Sequence, residues 1–401
     1  MAYGINRIVM LVEIIGIVVL FSFMATFFIA KTKEPMSPWV ITPAIWAVIM
    51  FMYIFVRKEL YSLSPDFIPG LALWVCGLTF SSYLVYKLCP SYTKPSWTQY
   101  EKHVDLLTLM ALILVPLAVI KAIQHAMIMA SPDELMLSLR EQAITPEENQ
   151  LGFVKYFVYI VNVLLMIELN RDKINKVRLT LVIMLCVLFF VATMSKTTLL
   201  TYIFSGLYIL YANKKVSLKP VFFFVLFLIA MVPIMYIMRG TDETQTDSET
   251  VVNLLIIYIL SSIVAFDYLV PCSTSQWGEI TLRPFYSILH GMGFNVNVVD
   301  TIQSFVLVPL PTNVYTCIAP FYQDFGFAGI FWFAIIEGCI VGCIYKLSKT
   351  GCNIMKYLYA FIFTLLMTQF FDEAFFQSIS AILQTLILVC FCHVRIILKK
   401  K

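Results

Sequence analysis

The chain has 401 residues, of which 60% are hydrophobic and 13% charged, with a net charge of +4. A soluble domain is about a quarter charged, so a water-soluble globule is excluded. Lys and Arg sit in short clusters between apolar blocks rather than in a patch interleaved with aromatics, which sets nucleic acid aside as a partner. The apolar blocks run to about 17–25 residues, enough to cross a hydrocarbon layer of about 30 Å as a helix. In lipid a lone segment satisfies its own backbone only as a helix, so the fold class is an all-α polytopic membrane protein.

In chain order the predicted spans are 8–30, 39–56, 67–86, 104–128, 152–169, 179–194, 197–212, 220–238, 327–345, 357–371 and 377–396. That is about eleven helices, in a range of about 10 to 12, with 1–401 forming a single transmembrane domain. The block from Ile8 to Ala30 is too long for a signal h-region and has no clear small-residue cleavage site, so it reads as a first span. Cations in short loops set the orientation. Arg171, Lys173, Lys176 and Arg178 mark one cytoplasmic loop, Lys214, Lys215 and Lys219 a second, Lys346, Lys349 and Lys356 a third, and Lys399, Lys400 and Lys401 a cytoplasmic tail. Lys31 and Lys33 face Arg57 and Lys58 across one short helix and leave the side of the N-terminus open.

Two long loops then fall on the external face, about 129–151 and about 239–326. The second contains the apolar piece 251–270. If that piece spanned, Lys346, Lys349 and Lys356 would move outside, so it is expected to lie in the interface or to re-enter the bundle. Of the ten cysteines, Cys76, Cys186, Cys339, Cys343, Cys390 and Cys392 lie in apolar blocks and read as small buried hydrophobes. Cys272 and Cys317 fall on the external side, where pairing is chemically allowed and nothing in the sequence requires it.

Several segments carry a resemblance. PTNVYTCIAPFYQDFGFAGIF, preceded by AFDYL, RPFYSILHGMGF and the helix start ATMSKTTLL, looks like the Wzy-type O-antigen polymerases, the oligosaccharide repeat unit polymerase family. The long external loop in the second half and a smaller Arg-bearing loop in the first extend the likeness. It implies a GT-C-like glycosyltransferase of the bacterial inner membrane. Such an enzyme joins polyprenyl-diphosphate-linked oligosaccharide repeats, as donor and acceptor, into O-antigen or a related surface polysaccharide at the periplasmic face. It further implies a partner chain-length regulator, no nucleotide sugar and no essential metal or cofactor, since the donor arrives activated on its lipid.

The residues can be read for that chemistry directly. A lipid diphosphate calls for cations near the membrane surface, and the planar fork of Arg binds phosphate bidentately while staying charged. Arg140, Arg239 and Arg283 stand in the external loops; the competing reading is arginines that snorkel or pair with nearby acids. The family pattern of loop Arg followed by Gly is met by Arg140 before Gly152 and by Arg283 before Gly291 and Gly293, with unequal spacings. An acceptor hydroxyl calls for a base, and the candidates are Asp267, His290, Asp324 and the pair Asp372 and Glu373. Asp324 reads first as the cap of a helix beginning near Gly326. Asn313, Tyr315 and Thr316 can hydrogen-bond sugar hydroxyls, and Tyr315 can stack on a sugar face, unless they only order a tight loop after Pro309 and Pro311.

Other signals point elsewhere. Glu337 lies within a span, and an acid there should face the bundle. With Lys121 and His125 it would serve the rival reading of a flippase or proton-coupled carrier, against which no broken helices recur in two halves. An O-antigen ligase is the nearer rival. Asp247, Ser248 and Glu249 stand in a generally acidic run and carry no metal signature. Lys196, with Ser195 and Thr197, either snorkels or touches a lipid phosphate.

Overall fold

The computed structural model describes residues 2–56, 60, 62–90, 98–129, 135, 138–139, 156–193, 195–216, 259–300, 303–308 and 311–393. The predicted span 220–238, the stretch 239–258, Arg140 and Arg239 lie outside the described residues. Every other predicted span falls on a helix: α1 Ala2–Thr32, α2 Pro38–Val56, α3 Phe67–Leu88, α4 Glu101–Met129, α5 Phe157–Asn170, α6 Lys176–Thr193 and α7 Lys196–Ala212. The second half adds α8 Ile259–Tyr268, α9 Arg283–Gly291, α10 Ala319–Lys349, α11 Asn353–Met367 and α12 Ile379–His393. A two-residue antiparallel ladder, β1 Val306–Leu307 with β2 Pro311–Thr312, closes the turn before α10.

Among the described residues, six helical stretches are long and apolar enough to cross a membrane: Val9–Thr32, Pro38–Phe55, Phe67–Leu88, Glu101–Ile128, Lys176–Thr193 and Ala319–Lys349. Their exposed faces are apolar, as Val12, Val19, Phe23 and Phe27 show on α1 and Leu109, Ile113, Leu117 and Ile120 on α4. Such stripes would be anomalous in water and suit lipid contact. The chain is a multi-pass membrane protein.

Internal contacts divide the chain into two compact units. The first comprises Met1–Tyr92, Asp247–Leu347 and Leu365–Ser380; the second comprises Thr93–Thr246, Ser348–Thr364 and Ala381–Lys401. In the first, α1 packs on α2 and α2 on α3. The closest approach is α3 against α10, where Gly77 faces Ala334, Gly338 faces Leu78 and Ser81, and Gly342 faces Ser82. Small residues four apart on α10 let the two backbones meet, which is how helices associate where lipid removes the hydrophobic drive. Gly326 breaks α10 near its start with φ 63 and ψ −150, a conformation that L side chains rarely adopt. Trp74, Phe321, Phe333 and Phe325 stack in sequence beneath that break.

Of the apolar piece of the long loop, residues 259–266 are all buried and 267, 268 and 270 are exposed. The Ser262 hydroxyl donates to Phe370 O at 2.5 Å. Further along the loop, α9 exposes an apolar face through Phe285, Ile288 and Leu289.

In the second unit α4, α5, α6 and α7 pack together. Asn175 caps α6, its Oδ1 accepting from the N–H groups of Val177 and Arg178 at 3.1 and 3.3 Å. Arg171 and Arg178 both pair with the buried Glu168 and with Glu101, and Arg178 also with Asp105.

A Cβ at Gly338 would sit 2.7 Å from Leu78 O, whereas one at Gly16 meets nothing within 4 Å. Gly338→Leu is therefore expected to destabilise by about 1–3 kcal/mol through overpacking and Gly16→Ala to change little. The check is the thermal unfolding midpoint of each variant in detergent, and equal midpoints would contradict the α3–α10 packing.

Candidate active site

The long loop is held against the start of α10 by its own carboxylates. After the 3-10 turn Phe266–Tyr268, Cys272 N donates to Tyr322 O and Ser273 N to Gln323 O at 3.3 and 2.9 Å. Asp324 Oδ2 accepts from Thr281 N at 2.7 Å and Oδ1 from Ile280 N at 3.3 Å. This differs from the expected helix cap: the oxygens of the acid are turned to the segment leading into α9 rather than to the N–H groups that follow the break at Gly326. Glu279 does the matching work inside the loop. Its Oε2 accepts from Ser275 N, Ser275 Oγ and Gln276 N, and its Oε1 accepts from Asn297 Nδ2 at 2.5 Å. Burial opposes ionisation, yet these donors outweigh it and hold the carboxyl below the usual range. Neither tie was legible in the sequence, because both join residues that only the folded loop brings together.

The other predicted residues are placed as follows. Arg283 opens α9, is half-buried, and donates from Nε to Val299 O at 2.7 Å. Burial lowers its pKa, and Asp300 nearby opposes that shift. His290 is exposed at the end of α9 with Nδ1 3.3 Å from Val296 O, and Asp267 is exposed on the 3-10 turn. Tyr315 is buried and its hydroxyl donates to Ser304 O at 3.1 Å, so its ring orders the loop instead of presenting a face to a sugar. Thr316 is buried, and its hydroxyl has no partner among the described residues. Asn313 is half-buried. Cys272 and Cys317 are free thiols, the first exposed and the second buried.

The residues brought together are the acids that stood last among the candidates. Cys317 N donates to Gln369 O at 3.0 Å, joining the PTNVYTC segment to the connector between α11 and α12. That connector carries Asp372 and Glu373. Glu373 accepts from the N–H groups of Phe375, Phe376 and Gln377 at 2.8, 2.9 and 3.0 Å. Even so, burial raises its pKa to about 7. Asp372 is solvent-accessible yet ringed by protein, as on the wall of a crevice; burial and then the Glu373 charge push it up. The charge of Glu373 also reaches Glu337 of α10, which is buried with one oxygen unpartnered among the described residues. Glu337, Glu373 and Asp372 all act on the Cys317 thiol, which burial raises first. All ion pairs among the described residues involve Arg171 or Arg178, so none of the three acids has an ion-pair partner among them. Asp372 and Glu373 are thereby poised to take up or release a proton near neutral pH.

The loop ties make a pH-dependent prediction. A carboxyl whose folded pKa is depressed stabilises above its unfolded value, 4.5 for Glu279, and that gain is lost as pH falls through the folded value. Amide-exchange protection at Ser275 and Gln276 should therefore fall on acidification in the wild type and lose this dependence in Glu279→Gln. Asp324→Ala should expose the Ile280 and Thr281 amides at a cost of about 1–3 kcal/mol, measured by the same exchange.

A family model described as "Putative O-antigen polymerase" matches residues 6–369, a range that takes in the loop, α10 and the connector as far as Gln369. A protein of Escherichia coli (strain K12) with the name "Putative O-antigen polymerase" is 28% identical over 141 residues, 34% of this chain and 35% of that protein. The chain thus spans about a third of the length of the relative that it matches. No solved structure matches. With the family match running from the first helix to the end of α11, the chain belongs to the O-antigen polymerase family.

Proposed function

We propose that the protein is a glycosyltransferase of about eleven spanning helices and GT-C type. In this reading it polymerises polyprenyl-diphosphate-linked oligosaccharide repeat units into O-antigen or a related surface polysaccharide at the periplasmic face of the bacterial inner membrane. The observation that carries the reading is the junction of the PTNVYTC segment, by Cys317 N to Gln369 O, with two acids whose pKa values are raised toward neutrality. The family match supplies the reaction class. A chain-length regulator remains part of the proposal as a partner.

The base is then Asp372, with Glu373 beside it as the coupled acid, rather than Asp324, whose carboxylate is spent on two backbone donors. A carboxylate takes the proton of the acceptor hydroxyl, and the oxygen forms a bond to the anomeric carbon of the donor repeat. The bond from that carbon to the diphosphate oxygen breaks, and the lipid diphosphate leaves with the electron pair. Arginines of the long loops, Arg283 together with Arg140 and Arg239, offset the charge on the leaving group. Glu337 supports the pair by holding or releasing a proton. His290 and Asp267 remain as exposed groups for acceptor binding, with Asn313 beside them in sequence space as a further hydrogen-bonding residue.

Deletion of the gene should leave single repeats on the lipopolysaccharide or capsule gel and remove the ladder. Accumulated lipid-linked chains would indicate a ligase, and loss of the single repeats a flippase. In complementation at matched expression, Asp372→Asn and Glu373→Gln should each lower polymerisation by about 10²–10⁴. Wild-type activity should rise with pH through about 7 as the pair ionises, and full activity in both variants would refute the assignment. Arg140→Ala and Arg283→Ala should each cost a charge-assisted contact of about 1.5–3 kcal/mol, with Lys restoring activity only in part, read from the same ladder.

A further inference from the structure

The second unit contains a polar cavity of about 470 Å³ where α5 and α7 end and α11 begins. Its walls carry Asn170, Arg171, Lys173, Asn213, Asn353 and Lys356, with Asp172 the sole carboxylate among them. Lys356 Nζ donates to Asn170 Oδ1 at 2.9 Å and to Asn213 Oδ1 at 3.2 Å, and Asn213 Nδ2 donates to Asn170 Oδ1 at 3.0 Å. Both amide oxygens are thus turned to the ammonium group, which leaves the lining rich in donors and poor in acceptors.

The charges are unbalanced as well. Arg171 is neutralised by Glu101 and Glu168. Lys356 has no carboxylate within ion-pair distance among the described residues, because every such pair belongs to Arg171 or Arg178. Lys215, which donates to the carbonyls of Leu169 and Arg171 at the end of α5, is near enough for the two ammonium charges to oppose each other. Three ammonium groups, Lys173, Lys215 and Lys356, therefore stand against one acid. Among the described residues, Lys215 and Lys356 are half-buried and hydrogen-bonded only to neutral oxygens, and an oxyanion in the cavity would offset their charge with charge-assisted hydrogen bonds.

We propose that this cavity binds a phosphate-class anion, at a site separate from the acid-bearing connector of the first unit. The ligand is either the phosphate of a bilayer lipid headgroup or a soluble phosphate or diphosphate. The site serves binding: Asp172 is its one carboxylate, and its charge acts to offset that of Lys356.

The test uses full-length protein in nanodiscs of phosphatidylcholine, with and without phosphatidylglycerol, and inorganic pyrophosphate as the soluble probe. Retained phosphatidylglycerol is counted by native mass spectrometry, and pyrophosphate binding by calorimetry in nanodiscs free of anionic lipid. Lys356→Gln and the exposed Lys173→Gln should each weaken the anion by about tenfold, while Lys356→Arg and Lys102→Gln retain it. Retention of phosphatidylglycerol without pyrophosphate binding identifies the lipid as source, and pyrophosphate binding that the same variants lose identifies the soluble one. Equal binding by the wild type and Lys173→Gln, or no binding of either probe by the wild type, overturns the proposal.

Discussion

Gln369 occupies the point on which the first unit turns. Its Oε1 accepts from the indole N–H groups of Trp46 and Trp74 at 3.1 and 3.4 Å, and its Nε2 reaches Thr42 Oγ1 at 3.5 Å. Its backbone carbonyl accepts from Cys317. In apolar surroundings each of these donors would be costly without a partner, so one amide fixes α2, α3, the segment before α10 and the connector after α11 in a common arrangement. The break at Gly326 and the close α3–α10 approach then determine where α10 carries Glu337, and the connector where Asp372 and Glu373 stand.

The two units solve the burial of charge in opposite ways. In the second unit, Glu168 is buried and matched by two guanidinium groups that also hold Glu101; Arg is suited to this because its fork spreads one charge over several donors. In the first unit, the carboxylates of Asp324 and Glu279 are satisfied by uncharged donors, backbone N–H groups together with the Ser275 hydroxyl and the Asn297 amide. Glu373 is satisfied in the same way, but it lies deeper and beside two other acids, and the balance tips toward the protonated form. At Glu279 the donors outweigh burial, and at Glu373 burial outweighs the donors.

That division separates the outer loop from the proposed chemistry. The loop acids are spent on keeping 272–300 folded against α10, which positions Arg283 and leaves His290 at the surface. In the connector the backbone donors at 375–377 occupy Glu373 and leave Asp372 accessible.

The helices were legible in the sequence because lipid imposes a local rule: an apolar block of sufficient length must satisfy its own backbone, and composition alone reveals it. The segment PTNVYTC and the acids at 372–373 and 337 were legible as residue types for the same reason, since polar groups stand out in an apolar chain. Their roles were not. Asp324 looked like a cap for its own helix, and only the return of Ile280 and Thr281, more than forty positions earlier in the chain, showed where its oxygens go. Likewise the sequence left Tyr315 between a sugar contact and a loop-ordering role, and the piece 251–270 between the interface and the bundle; packing buries Tyr315 and residues 259–266. Such assignments depend on contacts between distant segments, on burial and on the charges these contacts gather, and no local pattern encodes those quantities.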